Sequence, residues 1–248
     1  MSGAPSLRSR LLAGEQVVTA LVRIPSAEIV EMLAVAGFDA VVIDCEHGPV
    51  DISALREHIA LAQLHGMEAL VRPGHADPST VLRALDHGAT GIVAPHIDSA
   101  AEARALVEAS HYPPLGNRGF ATYSRAGRFG TFDAAEHRRR AQENTLVLAM
   151  IESPSAVLAT ADILAVEGID GFLVGTSDLA ASSGPDDPTL DDALAAVRAA
   201  GRACGAVRAD LAGGAEQASA LLADGSSMVV YNLTQVLMGI FKDLRVHP

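Results

Sequence analysis

Charged residues suited to catalysis or metal binding stand at the ends of several short apolar runs along the chain. They are Asp44, His47, Arg72, Glu152 and Asp178. Any one of them alone is explained equally well as a solvated residue at the end of a strand. A charge that abuts an apolar strand is costly to bury, however, unless it is paired or bound to a metal. Together the five residues predict a functional site, provided that the fold brings these strand ends to one place.

Glu152 and Asp178 are candidate metal ligands. Both offer hard carboxylate oxygens, and no Cys or His stands between them in the chain. Such a pair suits Mg²⁺ or Mn²⁺, with water in the remaining coordination positions. The alternative is that these carboxylates form ion pairs with Arg72 and hold no metal.

Proton transfer and anion binding are the other chemistry that these positions offer. Asp44 and His47 resemble an orienting carboxylate and a general base, because a histidine with a near-neutral pKa moves protons and a carboxylate fixes its tautomer. Arg72 carries a permanent positive charge that suits a developing oxyanion. The backbone amides around Gly175 and Ser177 can hold a carboxylate, and Gly175 permits a close approach. We assign the other eight histidines mostly to surface or packing positions.

The lysine content restricts the chemistry further. The only lysine is Lys242, near the C-terminus. Enzymes that cleave carbon–carbon bonds through a Schiff base need a lysine inside the site. If the chain performs that cleavage, a metal must act as the electron sink instead.

Eight apolar runs of strand length alternate with helical patterns and must position these residues. The predicted strands are 17–22, 40–44, 68–73, 91–96, 145–152, 171–177, 205–209 and 227–232. Helical segments between them include 26–37, 51–66 and 78–88. Continuous apolar strands favour a parallel sheet that is buried on both faces. Eight strand–helix units favour an α/β fold with a single closed (β/α)8 barrel, the TIM barrel. An open doubly wound sheet is the alternative, but no Gly-rich phosphate turn follows the first strand.

The chain organisation predicts one domain over residues 1–248. A length of 248 residues matches the roughly 250 residues that an eight-stranded α/β barrel needs. No repeat or linker interrupts the alternation. Only residues 111–130 lack a hydrophobic period, and a long irregular segment in a compact domain predicts a functional or contact loop.

Composition and charge exclude several classes of partner. The formal net charge is −12 with no basic block, so we expect neither nucleic acid nor an anionic membrane as a partner. No secretory signal and no apolar stretch approaching roughly 18 residues is visible, which predicts a cytoplasmic protein. Cys45 and Cys204 are the two cysteines, and buried free thiols are favoured over a disulfide in that compartment.

Five motifs carry a resemblance to a known family. They are DCEHG at 44–48, VRP at 71–73, YPPLGNRG at 112–119, MIES at 150–153 and GTSDLAASSG at 175–184. With them, from about residue 11 to its end, the chain resembles the HpcH/HpaI family of metal-dependent, class II pyruvate aldolases, such as 2-keto-3-deoxy and 2,4-dihydroxyhept-2-enedioate aldolases. Each motif is weak alone, but together they are specific. The resemblance implies a barrel of the phosphoenolpyruvate/pyruvate type.

The resemblance also implies roles for the residues at the strand ends. Glu152 and Asp178 would bind Mg²⁺, Mn²⁺ or Co²⁺, and that metal would chelate the carboxylate and carbonyl of pyruvate. Arg72 would stabilise the enolate oxygen. His47, supported by Asp44, would act as the base through a water or on the aldol hydroxyl.

Further implied positions concern the substrate and the assembly. Asp86 falls where the family has an acidic residue near the subunit contact, which would orient the catalytic histidine. Gly175 and Ser177 would meet the substrate carboxylate, and Val207 would line the aldehyde side. The family forms a homohexamer, a trimer of dimers with a swapped C-terminal helix, and 111–130 is the segment we expect at an intersubunit contact.

Three positions depart from the usual family pattern. They are Met150, Thr176 and Asn232, where many members have Gln, Pro and Asp. None of these residues is a predicted metal ligand, so the departures concern the identity of the substrate.

The function that these features favour is the reversible cleavage of a 4-hydroxy-2-oxo acid into pyruvate, or a pyruvate analogue, and an aldehyde through a metal-bound enolate. One alternative on the same site is a condensing or decarboxylating enzyme that uses oxaloacetate, as citrate-forming relatives do. An acyl-CoA lyase of the same superfamily is a third reading, although a single lysine offers little for the CoA phosphates. A barrel that serves only as a binding or scaffold module is the non-enzymatic alternative.

Overall fold

The protein is a closed eight-stranded barrel. The computed structural model describes residues 5–49, 51–74 and 77–245, so both ends of the predicted domain lie outside the described residues. All eight strands are parallel and pair in chain order, and β1 also pairs with β8. This closure confirms the predicted (β/α)8 barrel and excludes the open sheet. The strands are β1 Val17–Val22, β2 Ala40–Asp44, β3 Glu68–Arg72, β4 Gly91–Ala94, β5 Leu146–Ile151, β6 Gly171–Val174, β7 Val207–Ala212 and β8 Met228–Asn232.

Helices surround the barrel and reverse the chain between strands. They are α1 Leu7–Leu12, α2 Ala27–Val35, α3 Ile52–Leu64, α4 Pro78–Asp86, α5 Ala100–Ser110, α6 Ala134–Asn144, α7 Pro154–Leu164, α8 Thr176–Ser182, α9 Leu190–Cys204, α10 Ala215–Ala223 and α11 Leu233–Asp243. Side chains cap most of their N-termini. Ser26, Asp51 and Ser153, for example, accept hydrogen bonds from backbone amides in the first turns of α2, α3 and α7, which satisfies groups that a helix start otherwise leaves unpaired.

The core has two parts because alternate residues of each strand point to opposite faces. Outward residues such as Ile43 and Val71 pack under the helices. Inward residues such as Val42 and Leu70 fill the barrel, where Leu7 of α1 joins them. Three of the inward positions at the ends of their strands are polar, namely Asp44, Arg72 and Asn232, and the first two belong to the site described below.

Three predicted strands differ from the observed ones by two residues or more at an end. The run predicted at 91–96 ends as a strand at Ala94. The run predicted at 171–177 ends as a strand at Val174, and α8 begins at Thr176. The run predicted at 205–209 starts at Val207 and continues to Ala212. The predicted run contains Arg208 but stops before Asp210, which interrupts the apolar pattern. In the structure their side chains form a 2.7 Å ion pair, and both are largely buried, so the strand continues through them.

The segment 111–130 is irregular, as predicted, with only one turn of 3-10 helix at Arg128–Gly130. Its start is nevertheless well packed. Tyr112 is buried, its hydroxyl lies 3.0 Å from Nε2 of His137, and the Arg118 guanidinium lies over its ring. The segment therefore has a defined conformation against α6.

Two further predictions concern compartment and thiols. No helix in the described part of the chain is long and apolar enough to cross a membrane. Both cysteines are free, as predicted, but Cys204 is exposed at the end of α9 rather than buried. Burial, with the nearby charge of Asp44, raises the pKa of Cys45 to about 11.

Candidate active site

The predicted site residues gather where β2, β3, β5 and β6 end. Asp44 and Arg72 are the last residues of neighbouring strands and stand opposite each other in the β2–β3 register. Glu152 directly follows β5, and Gly175 directly follows β6, whose end pairs with the end of β5. The carboxyl ends of barrel strands are where active sites of this fold lie.

Asp44 is fully buried and binds two arginines. Its carboxylate accepts hydrogen bonds from Arg72 Nε at 2.9 Å and Nη2 at 2.5 Å, and from Arg23 Nε at 2.8 Å. The backbone amides of Glu46 and His47 donate to the same carboxylate. Burial alone would raise the pKa of Asp44, but the hydrogen bonds and charge of Arg72, together with Arg23, hold it below its ordinary value. Asp44 therefore stays ionised and fixes the guanidinium of Arg72.

These contacts change the role predicted for Asp44. We expected it to orient the His47 ring, whereas its hydrogen bond to His47 comes from the backbone amide. The carboxylate that approaches the ring is that of Glu46, whose Oε2 lies 3.8 Å from Nε2 of His47. Asp44 is drawn away because two guanidinium groups compete for its oxygens, and bidentate arginine pairs are among the strongest charge-assisted contacts.

Glu46 is a site residue to which the sequence interpretation gave no role. It is nearly buried, and its Oε2 lies 3.2 Å from Arg72 Nη1 without making a hydrogen bond among the described residues. Its Oε1 lies 3.1 Å from Nε2 of His96. Glu46 Oε2 is itself inaccessible to solvent, so its negative charge is balanced mainly by the guanidinium of Arg72.

Glu152 is the most enclosed of the candidate metal ligands, at 4% exposed. Its Oε2 accepts a hydrogen bond from the backbone amide of His96 at 3.0 Å and lies 3.5 Å from Nδ1 of the same residue. Burial raises the pKa of Glu152, the His96 amide and ring oppose that rise, and the negative charges of Asp178 and Glu46 add to it. A nearby cation would therefore stabilise the ionised form of Glu152.

Gly175 is required by the position of Glu152. A Cβ built on Gly175 would lie 2.2 Å from Glu152 Oε1 and 2.7 Å from its Cγ, which is closer than any side chain can approach. Thr176, Ser177 and Asp178 follow as the first turn of α8, and the latter two are exposed. The predicted ligand Asp178 thus stands in a short helix rather than at the end of a strand.

The donor set fits a divalent cation that is only partly enclosed by protein. Across residues 5–49, 51–74 and 77–245, no group of three or more His, Cys, Asp or Glu side chains is arranged as a complete metal site. Glu152 and Asp178 interact electrostatically and lie on the same rim. Two hard carboxylates with the other positions left to water and substrate are typical of Mg²⁺ sites.

The floor of the site is apolar. Arg72 lies over a narrow space lined by Leu21, Val42, Val93, Met150, Leu173, Leu211 and Val230. Val207 shares the inward face of β7 but starts that strand, and its side chain is buried in the barrel core. This position does not fit the role on the aldehyde side that we predicted for Val207. The prediction came from the family resemblance, and Leu211 is the inward residue of β7 that borders the space beneath Arg72.

Asp86 lies away from this rim. It ends α4, at the opposite end of the barrel, and its carboxylate accepts a 2.7 Å hydrogen bond from Arg118 Nη2. Arg118 is buried and belongs to the irregular segment 111–130. Within one chain the structure therefore joins Asp86 to that segment and not to His47.

The residues that the sequence interpretation left without a role are Arg23, Glu46 and His96. Glu46 lies inside the motif DCEHG, and His96 is the last residue of the fourth predicted strand, so both stand at predicted strand ends. His96 also has a left-handed backbone, with φ 55°, which no sequence pattern indicated for a non-glycine residue.

Comparison with known proteins identifies the family and the fold. The profile of the HpcH/HpaI aldolase/citrate lyase family matches residues 21–236. A hydroxypyruvate/pyruvate aldolase of Roseovarius nubinhibens is 35% identical, over 83% of this chain and 82% of its own length. A 2-keto-3-deoxy-L-rhamnonate aldolase of Klebsiella pneumoniae is 32% identical, over 92% of this chain and 86% of its own. A crystal structure of an HpcH/HpaI aldolase/citrate lyase family protein from Burkholderia cenocepacia superimposes with a TM-score of 0.88 at 29% identity, covering 97% of each chain.

Proposed function

The chain belongs to the HpcH/HpaI aldolase/citrate lyase family, and we propose that this carbon–carbon lyase reversibly cleaves a 4-hydroxy-2-oxo acid into pyruvate, or a close analogue, and an aldehyde. The observation that carries the proposal is the enclosed Glu152, coupled to Asp178, on the same rim as the fixed guanidinium of Arg72. That arrangement combines a site for a cation with a permanent positive charge that can stabilise an oxyanion.

Glu152 and Asp178 would hold the divalent cation, for which Mg²⁺, Mn²⁺ and Co²⁺ are the candidates. When bound, the cation polarises the carbonyl and carboxylate of a 2-oxo acid and so supplies the electron sink. The chain offers no Schiff-base alternative at the site, because its one lysine, Lys242, lies in α11. Gly175 and Ser177 would meet the substrate carboxylate through their backbone.

Proton transfer is assigned to His47. In the cleavage direction His47 takes the proton of the C4 hydroxyl, either directly or through a water. The C3–C4 bond then breaks, the aldehyde leaves, and negative charge develops on the C2 oxygen. Arg72 stabilises that charge, and the proton taken up by His47 is delivered to C3, directly or through a water, which completes pyruvate. Glu46, beside both His47 and Arg72, stabilises the protonated imidazole in place of Asp44.

Arg72 needs little reorganisation during the reaction. The guanidinium of Arg72 is held by Asp44 on one edge and faces Glu46 on another, so its charge is fixed before the reaction. Preorganised charge of this kind is where most enzymatic stabilisation of oxyanions originates. Leu211 and Met150 close the site from below, and this apolar floor limits access of water beneath the reacting carbons.

We also propose a homo-oligomer in which α11 packs on a neighbouring barrel. Of the eleven residues of α11, all of them described, none is buried, and Met238, Ile240 and Phe241 are each about half exposed. The predicted role of Asp86 belongs to this assembly, because within one chain Asp86 lies at the opposite end of the barrel from His47.

Which aldehyde is accepted depends on residues beyond the pyruvate half of the site.

The test is release of pyruvate from a racemic 4-hydroxy-2-oxo acid by metal-stripped protein, with and without Mg²⁺, Mn²⁺ or Co²⁺. We expect release that depends on metal and that Glu152→Gln abolishes. Glu57→Gln, at an exposed carboxylate on α3, is the matched control and should leave the rate unchanged. Full activity after thorough metal removal would contradict the proposal. Turnover of oxaloacetate without any pyruvate release from the hydroxy acid would favour the condensing or decarboxylating alternative.

A further inference from the structure

His96 has an unusual backbone for a histidine. Its φ of 55° lies in the left-handed region, which among the described non-glycine residues occurs only at His96, Arg128 and Phe129. A side chain in this region is strained by contact with its own backbone, and such strain persists where the surrounding structure imposes it. His96 follows the end of β4, next to the site.

The left-handed backbone lets one residue contact two site carboxylates. The amide of His96 donates to Glu152 Oε2 at 3.0 Å, and Nδ1 of its ring lies 3.5 Å from the same oxygen. Nε2, on the other side of the ring, lies 3.1 Å from Glu46 Oε1. The imidazole therefore stands between the two carboxylates and separates like charges that would otherwise repel each other.

Glu152 is also fixed from the opposite side. Its Oε1 lies against Gly175, at a distance that leaves no space for a methyl group there. With Oε2 held by His96 and Oε1 against Gly175, the carboxylate has one orientation. Glu46 in turn faces Arg72 at 3.2 Å. His96 thus connects the candidate metal ligand to the arginine of the oxyanion site.

We propose that His96 is a positioning residue that sets the affinity of the Glu152–Asp178 site for its divalent cation. This inference rests on the metal site of the proposed function. His96 acts through Glu152, because both its backbone amide and its ring contact Oε2 of that carboxylate. Residues that orient metal ligands typically change metal affinity about 10-fold to 100-fold when they are replaced.

The test is Mn²⁺ binding to the metal-stripped protein without substrate, followed by the electron paramagnetic resonance signal of Mn²⁺ and by calorimetry. His96→Gly removes the ring but keeps the backbone amide, and glycine accepts the positive φ without strain. His96→Asn also tolerates this backbone and restores a short hydrogen-bonding side chain. We expect the Mn²⁺ dissociation constant to rise about 10-fold in His96→Gly and by a smaller factor in His96→Asn.

The control is His65→Asn, because His65 also pairs with a glutamate, Glu31, at 3.2 Å, but on the helical surface. Its Mn²⁺ affinity should equal that of the unmodified protein. Binding by His96→Gly that is as tight as in the unmodified protein, or tighter, would overturn the inference while leaving the proposed function intact. Absence of Mn²⁺ binding by the unmodified protein, or undiminished binding by Glu152→Gln, would overturn the metal site itself and with it the role of His96.

Discussion

At the scale of single residues, the site depends on which carboxylate binds which cationic side chain. Asp44 is the clearest case, because it is fully buried and faces both Arg72 and Arg23. Breaking a buried ion pair by neutralising one partner leaves an uncompensated charge. Asp44 therefore acts on catalysis through Arg72, and its loss should also affect folding.

We predict that Asp44→Asn lowers the free energy of unfolding by roughly 3–5 kcal/mol, measured by urea denaturation in EDTA. Glu143→Gln, which removes an exposed ion pair with Arg139, should change it by only about 0.5 kcal/mol. Equal effects of the two substitutions would mean that Asp44 does not balance the charge of Arg72. His47→Asn should leave stability within about 0.5 kcal/mol, because the His47 side chain is half exposed, and should reduce pyruvate release instead.

Gly175 offers a second prediction at this scale. In Gly175→Ala the new methyl would lie 2.2 Å from Glu152 Oε1, so the carboxylate must move away from its present orientation. We expect the Mn²⁺ dissociation constant to rise at least about 10-fold. Gly184→Ala is the matched control, since a Cβ there meets only Asp187 at 3.6 Å. Unchanged affinity in Gly175→Ala would show that Glu152 does not need this contact to bind metal.

At the scale of elements, the sequence predicted the strands well because parallel strands that are buried on both faces are continuously apolar. The strand prediction failed where charged residues within a strand pair with each other. Arg208 and Asp210 face outward on β7 and bind each other, so the strand continues where the apolar pattern stops. Ion pairs such as Arg23 with Asp44 form only because neighbouring strand ends meet in the fold. The local sequence around either residue gives no indication of such a pair.

The C-terminal helix carries the prediction at the element scale. The apolar residues Met238, Ile240 and Phe241 of α11 are about half exposed in one chain, and burying such a surface against another barrel would stabilise an assembly. We predict that Phe241→Glu shifts the protein to a smaller species in light scattering coupled to size exclusion. Lys242→Glu places the same carboxylate one residue further and should leave the mass unchanged. A monomeric unmodified protein would contradict the swapped helix.

At the scale of the whole molecule, stability should depend on pH through buried histidines far from the metal site. His58 and His111 are both buried, and burial lowers the pKa of each below its ordinary value of 6.5. As the pH falls below 6.5, these histidines therefore bind protons in the unfolded chain while they are still neutral in the folded protein. When the unfolded state binds more protons, stability falls as the pH falls. The contribution of these histidines is complete above pH 6.5 and is lost between pH 6.5 and their folded pKa values.

We predict that the free energy of unfolding in EDTA decreases from pH 7.5 to pH 5.5 and that His111→Gln decreases it less over the same interval. The comparison between variants is needed because burial raises the pKa values of Glu68 and Glu152, and carboxyl groups of that kind oppose the loss on acidification. His65→Gln, at a more exposed position, is the control and should keep the pH dependence of the unmodified protein. If His111→Gln and the unmodified protein lose stability equally, then His111 is protonated as readily in the folded barrel as in the unfolded chain.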